Sequence, residues 1–419
     1  MSRCLHGYLA GTPIGTFIED RRQISFTYDD AYCASHLSTP LSLSMPMQQR
    51  SFKGAVVANW LENLLPESEQ TRRRIAQKLG IGSTSAFSLL AHIGHDLAGA
   101  IQLLPEGESP SSEGSLTPHT EASIAQRIRE LHAGAGLTMH EGDVGRWSLA
   151  GQQGKFALAL VNGHWMEPGG RAPSTHIFKV GITGLAYSDL AEYATMRAAQ
   201  LLGLHTAPIR LEHFEDETAV IVTRYDRVIT EGQVRRLHQE DFCQALGLGP
   251  ERKYQSDGGP RIRDMSSLLA DMSRPHEDTA ELARWHAFNL VAACPDGHAK
   301  NLSIILSGRA RVLAPFYDLI SGLFILSETE VGHKAKLALK FGGEYRIGAV
   351  SEHHAVKAAK ELGVDPHWFV TTIIDYATRL PGAFEVSIDE VELYLTAARA
   401  DALRQRVARR CDDVVRRFS

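Results

Sequence analysis

The stretch Cys294-Pro295-Asp296-Gly297-His298-Ala299-Lys300-Asn301, with Pro315-Phe316-Tyr317-Asp318 shortly after it, decides how this chain is read. Asp296 stands five positions before Asn301, and Asp318 follows seventeen positions later. Phosphoryl transfer requires a carboxylate beside the attacking hydroxyl and oxygen ligands that hold Mg²⁺ against nucleotide phosphates. An Asp, an Asn five later and a second Asp just past a hairpin supply that set. The order corresponds to the D-x-x-x-x-N and D-F-G logic of protein kinases, with Tyr317-Asp318 in place of the second motif. A capping turn, in which both side chains bond nearby backbone, satisfies the same spacing. The flanking sequence has to separate the two.

Upstream, Lys179 closes the apolar stretch His176-Ile177-Phe178-Lys179-Val180, where a strand lysine can neutralise nucleotide phosphates. Glu192, thirteen positions on and within a predicted helix from Asp189 to Leu202, is the acid that could hold it. Taken singly, a lysine at a strand end is an ordinary edge residue. Ahead of both lies Ser148-Leu149-Ala150-Gly151-Gln152-Gln153-Gly154-Lys155, a small-residue loop whose glycines let backbone N–H groups approach phosphate oxygens. Walker A spacing fails there, because Gly151 and Gly154 are too close and Phe156 follows Lys155. The loop is either a kinase-style cover over the phosphates or a tight turn. No G-x-S-x-G elbow and no H-E-x-x-H helix occurs, and Cys294 with His298 lacks a second cysteine pair for zinc. His298 reads as a histidine tying the loop together. Lys300 either neutralises transferring phosphate or faces solvent.

The whole chain has 419 residues, of which 43% are hydrophobic and 22% charged, which excludes wholesale disorder, collagen and coiled coil. That length predicts about two to four folding units. Its formal charge of -5 lacks the positive excess that drives non-specific phosphate binding. The arginines between Arg399 and Arg417 could make a local basic face, although a solvated helix face accounts for them more simply. Five scattered cysteines read as reduced residues of a cytoplasmic protein, and no apolar run reaches the roughly 18 residues that span a bilayer. Residues 5 to 28 alternate as a small β unit, and Val57, Trp60, Leu61 and Leu64, then Ile75, Ala76 and Leu79, recur at helical spacing. Pro105 to Pro118 reads as a linker. Strands are expected at Phe156–Val161, His176–Val180 and Ala219–Thr223. Beyond Leu237 the pattern is mainly helical, with Ser266 and Asp278 as caps and Ile304–Leu306 with Arg311–Leu313 as a hairpin.

Several segments occurring in one order carry a resemblance. They are Pro40 to Pro46 (PLSLSMP), Leu61 to Glu67 (LENLLPE), Gly94 to Ala100 (GHDLAGA), Ser148 to Gln152 (SLAGQ) and Ser174 to Lys179 (STHIFK). Arg224-Tyr225-Asp226-Arg227, Lys253-Tyr254, Asp257-Gly258-Gly259-Pro260 and the Asp296 to Asn301 run complete the set. Over nearly its whole length the chain resembles the HipA family of toxin serine/threonine protein kinases.

The resemblance implies an α+β, protein-kinase-like two-lobed fold. Its parts would be an N-terminal β and helical subdomain at 1–108 and a linker and helix at 109–144. A strand-rich kinase N-lobe would follow at 145–228 and an all-helical C-lobe at 229–419. It implies ATP and Mg²⁺ as cofactors, Asp296 as catalytic base, and Asn301 and Asp318 as metal ligands. Ala150, Gly151, Gln152, Gln153, Gly154 and Lys155 would form the nucleotide loop, with Lys179 on the phosphates and Thr223, Arg224 and Tyr225 as the hinge beside adenine. His298, Ala299, Lys300 and Tyr317 would adjoin the nucleotide, and Ser148 would be an inhibitory autophosphorylation site. The family's hinge usually opens with an acidic residue where this chain has Thr223, and Gly154 replaces a bulkier residue. Implied partners are a HipB-like helix-turn-helix antitoxin, operator DNA mainly through that antitoxin, and a protein substrate such as an aminoacyl-tRNA synthetase. A kinase-fold co-repressor of weak activity and a small-molecule phosphotransferase remain as alternatives.

Overall fold

The structure is a computed structural model that describes residues 2–21, 23–110, 114–132, 154–182 and 184–419. Ser148, the expected autophosphorylation site, and Ala150 to Gln153, expected in the nucleotide loop, lie outside the described residues. The chain divides into two compact units. The first comprises residues 1–183, 211–251 and 303–314, and the second 184–210, 252–302 and 315–419.

In the first unit the alternating N-terminal sequence folds into an antiparallel sheet. Its strands are, in spatial order, Ser51–Lys53, Gln23–Tyr28, Thr12–Asp20, Arg3–Leu9 and Ile101–Pro105. Alternation places Phe17 and Phe26 on the covered face, their rings 4.5 Å apart, where Val57, Trp60 and Leu61 of helix Ala55–Glu62 complete the core. Gly15 is required here, because a Cβ would lie 2.1 Å from the Thr27 carbonyl oxygen. Ser85 begins the helix Ala86–Ile93 by accepting from the Ser88 N–H.

A six-stranded sheet follows, in the order Ile209–Phe214, Glu217–Thr223, His176–Lys179, Lys155–Val161, His164–Gly170 and Gly114–Pro118. Phe156, Phe178 and Trp165 pack beneath it with Ile124 and Ile128 of helix Glu121–His132. The three expected strands are present within two residues. Gly114–Pro118, which reads as linker, is instead the edge strand, with all five residues exposed. It pairs through its backbone and buries no alternating side chains, so its sequence carries no strand signal.

The expectation of all-helical structure after residue 229 is corrected. Arg227–Thr230 and Gln233–Arg236 form a hairpin, turned by Glu231 and Gly232, both at positive φ. His238–Asp241, Ser303–Ser307 and Ala310–Leu313 make a three-stranded sheet that contains the expected hairpin, and Lys336–Phe341 pairs with Glu344–Arg346. These strands are short and polar-flanked, which a helical-period reading passes over.

The second unit is mostly helical. Its longest helices are Ser188–Leu201, Pro275–Val291, Pro366–Val391 and Ala397–Phe418. Gly203, at φ +87°, stops the first as expected. Neither expected cap is at a helix start: Ser266 lies inside helix Ile262–Leu269 and donates to the Leu362 carbonyl, and Asp278 lies a turn past Pro275. All seven arginines of the last helix are engaged. Arg399, Arg406, Arg410 and Arg417 donate to backbone carbonyls, while Arg404, Arg409 and Arg416 pair with carboxylates. Arg410 reaches the carbonyls of Leu290 (2.7 Å) and Val291 (3.4 Å) and so caps the helix that leads into the Asp296 loop. Among the described residues, no helix is long and apolar enough to cross a membrane.

Candidate active site

Helix Pro275–Val291 ends through Ala292 and Ala293, the latter at φ +53°, and the chain turns into the loop that carries Asp296. His298 N–H donates to the Asp296 carbonyl (2.9 Å) and Asn301 N–H to the His298 carbonyl (2.9 Å), which winds the loop into the single turn Ala299–Asn301. Gly297 has to be glycine, since a Cβ would lie 2.8 Å from Asn289 Nδ2 and 3.1 Å from Trp285. Asp296 itself is exposed, whereas Asn301 is 4% exposed.

Asn301 is the joint of the site. Its Nδ2 donates to the Asp296 carbonyl (3.0 Å) and reaches the Asp318 carbonyl at 3.5 Å. Asp296 and Asp318, twenty-two positions apart in sequence, thereby meet at one amide. The nitrogen's engagement fixes the amide plane and with it the direction of Oδ1. Asp318 follows Phe316, which is paired in both directions with His205 and Ala207, and it adopts φ +61°. A left-handed aspartate costs about 1 kcal/mol or more and persists where surrounding structure over-determines it. Tyr317 contributes to that determination by donating from its hydroxyl to the Lys300 carbonyl (2.8 Å).

Of the residues expected to flank this centre, His298, Ala299 and Lys300 are buried. His298 is buried, which pushes its pKa down to about 3 with help from Lys253, and it stays neutral. Its ring meets Tyr254 edge to face at 5.0 Å. Ala299 is buried, Lys300 is 7% exposed, and burial pushes the Cys294 thiol far up, so it is no nucleophile. Tyr254 was quoted in the sequence only as part of a resemblance. Its hydroxyl donates to Asp296 Oδ1 at 2.5 Å. The signal that could have found it is the tight Asp257-Gly258-Gly259-Pro260 turn after it, a backbone geometry with no regular period.

In the first unit, Lys155 and Lys179 face each other across neighbouring antiparallel strands, so both side chains lie on one sheet face. Two ammonium groups on one face favour a polyanion. Gly154 precedes them and accepts from Val180 N–H (3.1 Å). Glu192 lies on helix Ser188–Leu201 of the second unit and is fully buried.

At the expected hinge, the side chains of Arg224 and Tyr225 bond to neighbouring protein groups. Thr223 ends its strand, but the Arg224 guanidinium turns away into a buried cluster. It donates to Asp226 Oδ1 (3.0 Å) and Oδ2 (2.8 Å), to Ser174 Oγ (2.8 Å) and to the Leu97 carbonyl (2.9 Å). Asp96 accepts from Arg227 (2.8 Å), Arg236 (3.3 Å) and the Ser174 N–H (3.0 Å). Burial alone would raise the Asp96 carboxyl, yet Arg227, Arg224 and Arg236 hold it well below the usual carboxylate range. The Tyr225 hydroxyl donates to Gln239 (2.7 Å), and burial pushes it above the ordinary phenol range. Three of the quoted motifs therefore meet in an ion cluster. A fourth behaves alike: Ser42 Oγ lies 2.5 Å from Glu240, and Leu43 N–H donates to the same carboxyl (2.8 Å).

Among the described residues, no group of three His, Cys, Asp or Glu side chains could hold a metal. An Asn and an Asp supply two hard oxygen donors, which suits Mg²⁺ completed by phosphate oxygens and water.

Residues 5–104 match the family described as HipA N-terminal domain, and residues 147–384 match HipA-like C-terminal domain. The chain is 35% identical over 419 residues to the protein Y4mE of Sinorhizobium fredii, covering 97% of each. It is 28% identical over 357 residues to the serine/threonine-protein kinase toxin HipA of Shewanella oneidensis, covering 82% of this chain and 80% of that one. Among solved structures, a Shewanella oneidensis complex of HipA, HipB and operator DNA matches with a TM-score of 0.84 and 26% identity, covering 99% of this chain and 98% of that one. A kinase-like α+β architecture, an Asp–Asn–Asp centre joined through one amide, and matches to both halves of one family lead to the same place: the chain belongs to the HipA family and is a serine/threonine protein kinase.

Proposed function

We propose that the chain transfers the γ-phosphoryl group of ATP, with Mg²⁺, to a serine or threonine of a protein, as the toxin of a toxin–antitoxin pair. The observation that carries this reading is the Asn301 amide, which spans the carbonyls of Asp296 and Asp318 and so assembles a base and two metal donors from separate segments. In this reading Asp296 accepts the acceptor hydroxyl's proton. Asn301 Oδ1 and the Asp318 carboxylate would hold the metal, which supplies charge neutralisation at the phosphates. Lys179 and Lys155 orient the phosphates beneath a loop that includes Ala150 to Gly154. Thr223 to Tyr225 border the adenine through main chain, since the Arg224 side chain is taken up elsewhere. Glu192 orients Lys179, and phosphorylation of Ser148 adds a dianion beside the loop and switches the enzyme off.

The partner in this proposal is a HipB-like antitoxin, supported by the complex of the Shewanella protein. DNA contact falls mainly to that antitoxin, because every arginine of the Arg-rich last helix already has a protein partner. A translation component such as an aminoacyl-tRNA synthetase is the proposed acceptor. Incubating purified protein with labelled ATP, Mg²⁺ and a cell extract tests the core of the proposal. Wild type labels protein, and Asp296→Asn loses about 10²- to 10⁴-fold in rate. Equal labelling by the variant would remove Asp296 from its role, and unchanged labelling in excess chelator would remove the metal.

A further inference from the structure

We infer that Tyr254 is a positioning residue for phosphoryl transfer: its phenol holds the Asp296 carboxylate in the orientation the acceptor hydroxyl requires. The inference rests on the reading of Asp296 as base, and it assigns a role to a side chain that the kinase constellation does not include.

Asp296 is the exposed residue of a largely buried loop, and an exposed carboxylate ordinarily samples several rotamers. A proton acceptor acts only within about 3 Å of the hydroxyl it serves, so a wandering carboxylate wastes most encounters. Three contacts fix the Tyr254 segment to the Asp296 loop. Ala299 N–H donates to the Lys253 carbonyl (3.2 Å), the Tyr254 ring packs edge-on against His298 at 5.0 Å, and the phenol reaches Asp296 Oδ1 at 2.5 Å. With one oxygen held by a charge-assisted bond, the plane of the carboxylate is set and the place of its second oxygen with it.

The far side of Tyr254 is as firmly determined. Gly259 N–H donates back to the Tyr254 carbonyl (2.9 Å) across a turn in which Gly258 has φ +82°. A Cβ on Gly259 would stand 2.1 Å from the Arg252 carbonyl oxygen and 2.6 Å from that of Tyr254. Gly259 thus closes a loop in which a side chain would meet backbone, Gly258 supplies its left-handed turn, and the loop delivers a hydroxyl to the base. His298, 6% exposed, offers the ring a buried wall.

The experiment measures steady-state phosphorylation by wild type, Tyr254→Phe, Tyr254→Ala and Asp296→Asn, with thermal unfolding of each. Tyr254→Phe keeps the ring against His298 and removes only the hydroxyl. Its kcat is expected to fall about 10- to 100-fold, with KM for ATP and melting temperature unchanged. Tyr254→Ala should lose at least as much and also melt lower. If the ring alone matters, Tyr254→Phe will match wild type, and the inference fails. A rise in kcat/KM for the protein acceptor in Tyr254→Phe also overturns it, because the phenol would then be competing for the acceptor's place. Should Asp296→Asn keep wild-type activity, the base assignment itself is wrong, an outcome distinct from the other two.

Discussion

Two clusters of polar residues bear the chain's motifs, and they are built on opposite terms. In the first unit Asp96, Arg224, Asp226, Arg227 and Arg236 are all buried or nearly so, and each carboxylate faces at least two guanidinium groups. In the second unit Asp296 is exposed, and its carboxylate meets the hydroxyl of Tyr254. Asp318 is half-buried in a left-handed backbone conformation. Charges removed from water survive only when paired and hydrogen-bonded. Charges left near water need no such compensation. The same residue types thus serve architecture in one place and chemistry in the other, and burial with compensation separates the two uses.

The comparison breaks most visibly under matched substitutions. Asp296→Asn removes activity by the factors given above while changing unfolding free energy by no more than about 1 kcal/mol, because the lost interactions are solvent-exposed. Asp96→Ala should do the reverse. It leaves Arg227 and Arg236 facing no carboxylate at that point, which costs about 3–5 kcal/mol. Denaturant midpoints and turnover per folded molecule, measured for both, check the pair. A stable Asp96→Ala with lost turnover would show that the buried cluster is part of the chemistry.

A smaller effect joins the last helix to the catalytic loop. Arg410→Ala deprives the carbonyls of Leu290 and Val291 of their donor just before the chain enters the Asp296 segment. About 1–2 kcal/mol of stability should be lost, and Arg416→Ala, whose exposed partner is Asp413, should lose under about 0.5 kcal/mol. Equal losses would mean that the last helix is held by apolar packing alone.

The legibility of the chain follows the same division. That the Asp296, Asn301 and Asp318 segments meet was legible because phosphoryl transfer restricts both residue type and order, and the helix ended by Gly203 was readable because its turn chemistry is local. The Arg224-Tyr225-Asp226-Arg227 motif was readable as a motif but not as an ion cluster. Its partners Asp96 and Ser174 lie far off in sequence, and nothing local specifies a pairing at that distance. Tyr254 escaped for a related reason, since its role depends on a loop whose closure is set by Gly258 and Gly259. The edge strand Gly114–Pro118 escaped because a strand that buries no side chain has no period to read.

A further effect is one of pH, and it concerns two neighbours on strand His238–Asp241. Burial pushes Glu240 up to about 8, against the lowering influence of Ser42 and Leu43, and burial pushes His238 down to about 4. Glu240 binds a proton in the folded state through the window from about 4.5 to 8 in which the unfolded chain has released it. Its contribution is therefore present below about 4.5 and is lost as pH rises toward 8. His238 acts in the other direction. It is neutral when folded and protonated when unfolded between about 4 and 6.5, so its contribution is present above 6.5 and is lost as pH falls toward 4. The two slopes oppose each other between about 4.5 and 6.5, and only the Glu240 slope remains from there to 8. Denaturant unfolding of wild type and Glu240→Gln at pH 5.5, 7 and 8 isolates it. The stability of the variant relative to wild type should rise steadily across that series, because glutamine cannot ionise. A difference constant with pH would show that Glu240 is ionised in the folded state, and the Ser42 segment would then be held by a charged carboxylate.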